Sequence, residues 1–179
     1  MKKFQIHTYE SAPEASKPLL ENSMKNFGMI PNLHGVLAES PETLETYQML
    51  HEKFQQTSFD AEELTVVWQT INIEHNCHYC VPAHNFIANM MKVNPAITEA
   101  LKNNTPLPSP KLQALKDMTL SILHNRGVVA KEELEAFYAA GYGTKQIIEI
   151  ILGLSQKVMS NYINHLAETP TDDVFKDYT

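Results

Sequence analysis

Several things are scarce in this chain, and each scarcity removes a class of protein. There are only six glycines, and the Asn-Gly and Asp-Gly pairs that close tight β-hairpins do not occur. An all-β fold is therefore disfavoured. The two cysteines, Cys77 and Cys80, stand too close together to staple the long loops of a secreted disulfide scaffold. No run approaches the roughly 20 apolar residues that cross a membrane. The most apolar stretch, residues 147–154, is already interrupted by Glu149. The opening residues, Met1-Lys2-Lys3-Phe4-Gln5-Ile6-His7, carry no apolar segment of the kind that follows the basic start of a secretory leader. Positive charge is also in deficit, with 14 Lys+Arg against 21 Asp+Glu and a formal net charge of −7. Such a balance repels phosphate backbones, so nucleic acid is not an expected partner. The expectation is a non-membrane protein of a reducing, cytoplasmic compartment. In that setting a CxxC pair more often does redox chemistry or binds metal than staples a fold.

What is present is ordinary for a globular domain: 179 residues, 43% hydrophobic and 20% charged. One domain over residues 1–179, with a core of its own, is expected. Helical periodicity runs through most of it. Ser11 or Ser16 opens a helix through Leu19, Leu20, Met24 and Phe27 that Gly28 stops. Asn32 opens a short helix ending before Pro41. From Pro41, the residues Leu44, Tyr47, Leu50, His51 and Phe54 recur at spacings of three and four, marking one buried face. Ser58 or Asp60 caps the next helix, where Glu62 and Glu63 favour the positive dipole end. That helix carries Leu64, Val67, Trp68 and Ile71. Phe86, Ile87, Met90 and Met91 form a further apolar face. Residues 103–110 read as a loop, after which Ser109 and Pro110 start a helix that ends near Gly127. A short helix over Lys131 to Ala140 follows. Thr144 then caps a last long helix in which Ile147, Ile148, Ile151, Leu152 and Leu154 are expected to be buried. No stretch reads as a strand. The fold class is all-α, with about eight helices and the CxxC at the N-terminus of a core helix.

Chemistry concentrates in residues 74–84, Glu74-His75-Asn76-Cys77-His78-Tyr79-Cys80-Val81-Pro82-Ala83-His84, which hold both cysteines, three of the eight histidines and a carboxylate. Pro82 fixes where the helix begins. Inside a helix its ring would clash with the carbonyl of His78 and cost about 3 kcal/mol, whereas a first turn tolerates it. A helix starting between His78 and Pro82 puts Cys80 at or beside its N-terminus. There the positive dipole end and neighbouring bases lower a thiol from about 8.5 to roughly 3.5–7.5. His84, one turn on, shares a face with Cys80 and is placed to exchange its proton. Cys77 is close enough to close a disulfide on an oxidised Cys80, and Glu74 to orient His84 or pass a proton. Nucleophile, resolving thiol, base and orienting acid are all available.

Metal binding is the rival reading. His75, Cys77, His78, Cys80 and His84 include enough donors for a tetrahedral zinc site. Structural zinc sites, however, draw on two separated ligand pairs, and no second pair follows here, His7, His34, His51, His124 and His165 being scattered singly. The redox reading calls on no metal and no cofactor. A redox-responsive module without enzymatic activity stays open beside it.

The motif Glu74-x-x-Cys77-x-x-Cys80-x-x-x-His84, in the form Cys-His-Tyr-Cys-Val-Pro-Ala-His, resembles the active-site motif of the carboxymuconolactone decarboxylase / alkylhydroperoxidase D (AhpD-like) family. Phe27-Gly28-Met29-Ile30-Pro31-Asn32-Leu33 resembles that family's approach to its first core helices. Gly141-Tyr142-Gly143-Thr144 resembles the start of its later helix, and Asn161-Tyr162-Ile163-Asn164-His165 the polar end that faces its site. The resemblance implies an all-helical homo-oligomer acting as a thiol peroxidase or disulfide oxidoreductase on hydroperoxides, restored by a dithiol protein or small thiol. It implies Cys80 as the attacking thiol, Cys77 as the resolving thiol, and His84 with Glu74 as proton relay. Decarboxylase or lyase activity on the same fold goes with members that lack the cysteine pair. Two positions depart from the best-studied hydroperoxidase pattern. Thr65 stands where that pattern has its relay Glu, so that Glu62 or Glu63 is an alternative to Glu74, and Tyr79 stands where it has the His before the second cysteine.

Overall fold

A helix that is buried on every side has to be surrounded, and the segment Ala61–Glu74 (α4) is such a helix, its polar side chains included. Its residues from Glu63 to Asn72 are buried without interruption. In the computed structural model, which describes residues 3–179, α4 forms the centre of an all-helical bundle. Met1 and Lys2, where the reading of a leader segment began, lie outside the described residues. Around α4 run α1 (Lys17–Phe27), α2 (Asn32–Leu37), α3 (Pro41–Gln55), α5 (Cys80–Met90), α6 (Pro95–Lys102), α7 (Pro110–Asn125), α8 (Lys131–Ala139) and α9 (Thr144–Ala167). Short 3₁₀ turns at Glu14–Ser16 and Asp173–Tyr178 precede and follow them. Among the described residues there is no strand, and no helix is long and apolar enough to cross a membrane. The nine α-helices among the described residues exceed the expected eight by α6, whose start is written as Asn94, capping the N–H of Ala96, followed by Pro95.

The helix ends follow from local chemistry. Gly28 closes α1 with φ 71°, a left-handed value that a Cβ would strain. Asp60 and Glu63 cap α4 reciprocally, each carboxylate accepting from the other's backbone N–H at 2.9 and 3.0 Å. Ser16 and Ser109 hold N-cap positions without a side-chain cap bond, and the Ser16 hydroxyl instead donates to the Ala38 carbonyl.

Two apolar clusters make the core. One gathers Phe54, Trp68, Ile71, Leu115, Ile122, Phe137 and Ile150 around α4. The other gathers Leu20, Leu33, Leu37, Leu44, Tyr47, Tyr79, Ala83 and Phe175 around the cysteines. Between them α9 crosses α3 and α4 closely, because Gly153 has no side chain: a Cβ there would stand 2.7 Å from the Phe54 ring and 3.1 Å from Val67. Three expectations of burial are corrected. Ile148 is 70% exposed and Ile151 42%, and Met90 also faces solvent. In α9 the inward positions belong instead to Glu149, Ile150, Gly153, Gln156, Lys157, Ser160, Asn161 and Asn164, a mostly polar row.

After α9 the chain folds back over the start of α5 as a strap. Asp172 accepts from the Asn32 N–H at 3.2 Å and from the Tyr79 hydroxyl. The Thr169 carbonyl accepts from His78 Nε2 at 2.8 Å, and Phe175 is buried against Tyr79 and Phe86.

Candidate active site

The cysteine turn is made by the way α4 stops. Asn76 takes φ 50°, which its short polar side chain tolerates, and the chain reverses. The Cys77 N–H then reaches back to the Asn72 carbonyl at 3.0 Å. A new helix begins at Cys80, with Pro82 in the first turn, where a missing N–H costs nothing. Cys80 thus lies at the positive end of α5. Its own N–H points at the Cys77 sulfur, at 3.3 Å.

The opposite wall comes from the polar row of α9. Asn164 donates from Nδ2 to the Cys80 sulfur at 3.3 Å, and Ser160 and Lys157, on the same face of α9, are near enough to favour a negative charge on it. Lys157 is completely buried and gives a hydrogen bond from Nζ to His84 Nε2 at 2.9 Å. With the lysine charged, Nε2 has to accept, which leaves the hydrogen on Nδ1, a buried atom with no partner. Behind His84 stands Trp68, its ring 4.8 Å away, with His51 stacked on it at 5.4 Å. The indole N–H donates to Gln156 Oε1 at 2.8 Å, and Gln156 donates to His51 Nδ1 at 2.9 Å. A second chain holds the backbone of the turn: His75 donates to Asn161, Asn161 to Asn72, and Asn72 to the Cys80 carbonyl at 3.3 Å.

These surroundings divide the two thiols. Burial pushes the Cys80 thiol up, but the hydrogen bond from Cys77, the Lys157 charge and the Asn164 and Ser160 donors together outweigh it and bring it down to about 5. Cys77 moves the other way, held protonated by its hydrogen bond to Cys80, by burial and by the Cys80 charge. Burial lowers Lys157, with Cys80 and Cys77 working against the shift. Burial, then the charges of Lys157 and His51, holds His84 well below the usual imidazole range. These surroundings favour a thiolate at Cys80 and a thiol at Cys77, with the buried amine of Lys157 and the imidazole of His84 beside them.

Cys77, Cys80 and His84 come together, although the imidazole meets the thiolate through Lys157 and turns its own Nε2 to that lysine. Glu74 does not join them. It sits at the exposed end of α4, accepts from His124 Nε2 at 2.7 Å, and lines a separate cavity of about 550 Å³ with His75, Arg126 and Tyr162. Glu63 is taken up by its cap and by Lys111 and Tyr142, while Glu62 stands in the first turn of α4. The candidate metal donors diverge: His75 faces Asn161, His78 faces Thr169 and His84 faces Lys157. Among the described residues no three of His, Cys, Asp or Glu are grouped so as to hold a metal ion. Tyr79 is buried, with its hydroxyl on Asp172, and serves as an anchor for the strap. Both sulfur residues are covered, Cys77 at 0% and Cys80 at 1% exposure. The cover is apolar on the side of Leu33 and Ala83 and polar on the side of α9.

Lys157 and Ser160 are not singled out as site groups by the sequence reading, whereas Asn164 belongs to the polar end, residues 161–165, that the resemblance turns toward the site. The signal was available: at 156, 157, 160, 161 and 164, polar residues recur at helical spacing in a helix whose opposite face is apolar.

No family model matches the chain, and no curated protein matches it either. Solved structures do. An uncharacterized peroxidase-related protein from Ralstonia eutropha JMP134, described as an alkylhydroperoxidase AhpD core, superposes with a TM-score of 0.82 at 17% identity, covering 98% of this chain and 96% of that one. A peroxidase-related protein from Silicibacter sp. TM1040 gives 0.80 at 15% identity, over 97% and 95%. A cysteine-to-alanine variant of the debrominase Bmp8, in complex with 2,3,4-tribromopyrrole, gives 0.81 at 14% identity, over 99% and 96%. At these identities the likeness establishes a fold, the AhpD type, over essentially the whole chain.

Proposed function

We propose that this chain, built on the AhpD-type fold, is a thiol-dependent peroxidase in which Cys80 attacks a hydroperoxide. The observation that carries the reading is the completely buried Lys157 ammonium beside the Cys80 thiolate, with His84 behind it. Ordering a lysine side chain inside a protein and stripping it of water is costly, and such a site is compensated by an opposite charge. Here that charge is the sulfur anion. In the first step the thiolate sulfur bonds to the terminal peroxide oxygen, the O–O bond breaks, and Lys157 supplies the proton that lets the alcohol leave. Its lowered affinity for that proton suits it to the task. The Cys77 thiol then attacks the sulfenic sulfur, water leaves, and a disulfide remains. A thiol reductant returns two electrons and both thiols. Lys157 and His84 thereby fill the relay that the motif alone gave to His84 and Glu74.

Stopped-flow consumption of a hydroperoxide by the reduced protein tests the scheme. One equivalent is consumed rapidly by the unaltered chain and none by Cys80→Ser, while Cys77→Ser stops at a sulfenic acid that dimedone traps. A rate equal to that of a free thiol would remove the proposal. The debrominase on this fold shows that the fold serves other chemistry as well, and the Cys80 dependence of peroxide loss separates the two.

The same reading includes a homo-oligomer. Along α9, Ile148, Ile151, Tyr162 and Leu166 point to solvent, with Ile148 and Leu166 each about 70% exposed. Ile148, Ile151, Val158 and Tyr162 lie nearly symmetrically about the small, exposed Ser155. Two copies laid antiparallel across Ser155 would bring Ile148 of each opposite Tyr162 of the other, a self-complementary contact of the kind that closed dimers use.

A further inference from the structure

A shallow cavity of about 350 Å³ opens beside the cysteine turn, walled by Ile73, Val81 and Pro82 and rimmed by Lys102. Of the two cysteines, Cys77 contributes to its wall and Cys80 does not, although Cys77 is covered at 0% exposure with both thiols free, so the turn has to loosen before its sulfur is reached. Cys80 lies on the far side of the turn, where Asn164 donates to its sulfur. We infer that the reducing thiol enters through this cavity and attacks Cys77, and that Cys80 is the sulfur it displaces. This rests on the proposed Cys77–Cys80 disulfide.

Thiol–disulfide exchange takes place in line: the attacking sulfur, the attacked sulfur and the leaving sulfur have to be collinear, and the lower the leaving thiol's pKa the faster it goes. A thiol arriving from the cavity meets Cys77 first, with Cys80 behind it on the side of α9. The displaced Cys80 then carries its negative charge into the Asn164 amide, the Lys157 ammonium and the N-terminus of α5, groups already in place for it. Attack on Cys80 would run the other way. It would need a path through the α9 wall and would expel Cys77, which the same surroundings hold as a neutral thiol.

The thiolate RS⁻ bonds to the Cys77 sulfur, the Cys77–Cys80 bond breaks, and the electron pair leaves as the Cys80 thiolate. A second thiolate then attacks the sulfur of the R group in the mixed disulfide, releasing Cys77, which takes up a proton. Oxidant and reductant thus use different sulfurs.

The test makes the disulfide with diamide, so that it does not depend on any peroxide chemistry. The full chain in its oxidised form is mixed rapidly with 2-mercaptoethanol, quenched in acid containing N-ethylmaleimide, and mapped by fragmentation mass spectrometry. The expected product carries mercaptoethanol on Cys77 and maleimide on Cys80, with at least about a tenfold excess over the reverse pattern. An adduct on Cys80, an even division, or no adduct trapped on Cys77 would each overturn the inference, as would a chain in which diamide closes no internal disulfide. Mercaptoethanol on Cys77 in a protein that fails to consume peroxide would leave this inference standing and the peroxidase reading fallen.

Discussion

At the scale of single residues, Lys157 separates function from stability. Removing one member of a buried ion pair ordinarily costs several kcal/mol, because the other is left charged without a partner. Cys80 has a way out that a carboxylate partner would lack at neutral pH, since it becomes a neutral thiol. Lys157→Met, which keeps the stem and drops the charge, is therefore expected to hold stability within about 1 kcal/mol of the parent chain in urea unfolding, consistent with the small net value of buried pairs. Reactivity is expected to change far more. With Cys80 near 5, almost all of it is thiolate at pH 7. Returned to about 8.5 or higher, only a few per cent is, so the rate of alkylation at pH 7 falls by about thirtyfold or more. In the parent chain that rate rises as pH passes upward through about 5 and then levels off. In the variant the rise moves above pH 8. An unmoved profile would mean that the lysine does not set the thiol. The cysteines, the start of their helix and the nearby histidine could be read directly from CxxC, Pro82 and an i+4 spacing. Lys157 by itself could not, because a lone lysine in a helical pattern reads as a solvated side chain, and the polar row it shares with residues 156, 160, 161 and 164 is seen to turn inward only once the fold places α9.

At the scale of the element, α9 reverses the usual sense of an amphipathic helix. Its second half buries amides, a hydroxyl and a cation and leaves Tyr162 and Leu166 outside, as its first half leaves Ile148 and Ile151. A reading in which apolar residues mark the buried face places such a helix the wrong way round, as happened for Ile148 and Ile151. It works where burial is apolar, as on α3 with Leu44, Tyr47 and Phe54, and on α4, where both the residues and the Asp60 cap were legible. Gly153 belongs to the same helix and sets its distance from α3. Alanine there gains about 1 kcal/mol of helix propensity. Its methyl group would also have to displace the fully buried Phe54 ring, and overpacking of that kind costs about 1–3 kcal/mol. The second effect is expected to win, so that Gly153→Ala lowers stability by about 1 kcal/mol in chemical denaturation. A gain in stability would show that the contact between α3 and α9 relaxes freely.

At the scale of the whole molecule, the outward row on α9 predicts the solution state. Light scattering or analytical ultracentrifugation is expected to give at least twice the 20.3 kDa of the chain. Ile148→Glu, which sets a charge in the middle of the proposed contact, is expected to give the single-chain mass with unchanged helicity. Two masses that agree would place the contact elsewhere. One further property follows from where the only tryptophan lies. Trp68 is wedged between His84 and His51, two side chains away from the sulfur anion, and its indole N–H is held by Gln156. Its ultraviolet emission is thus a built-in optical gauge, able to register each turn of the thiol cycle without any dye being attached.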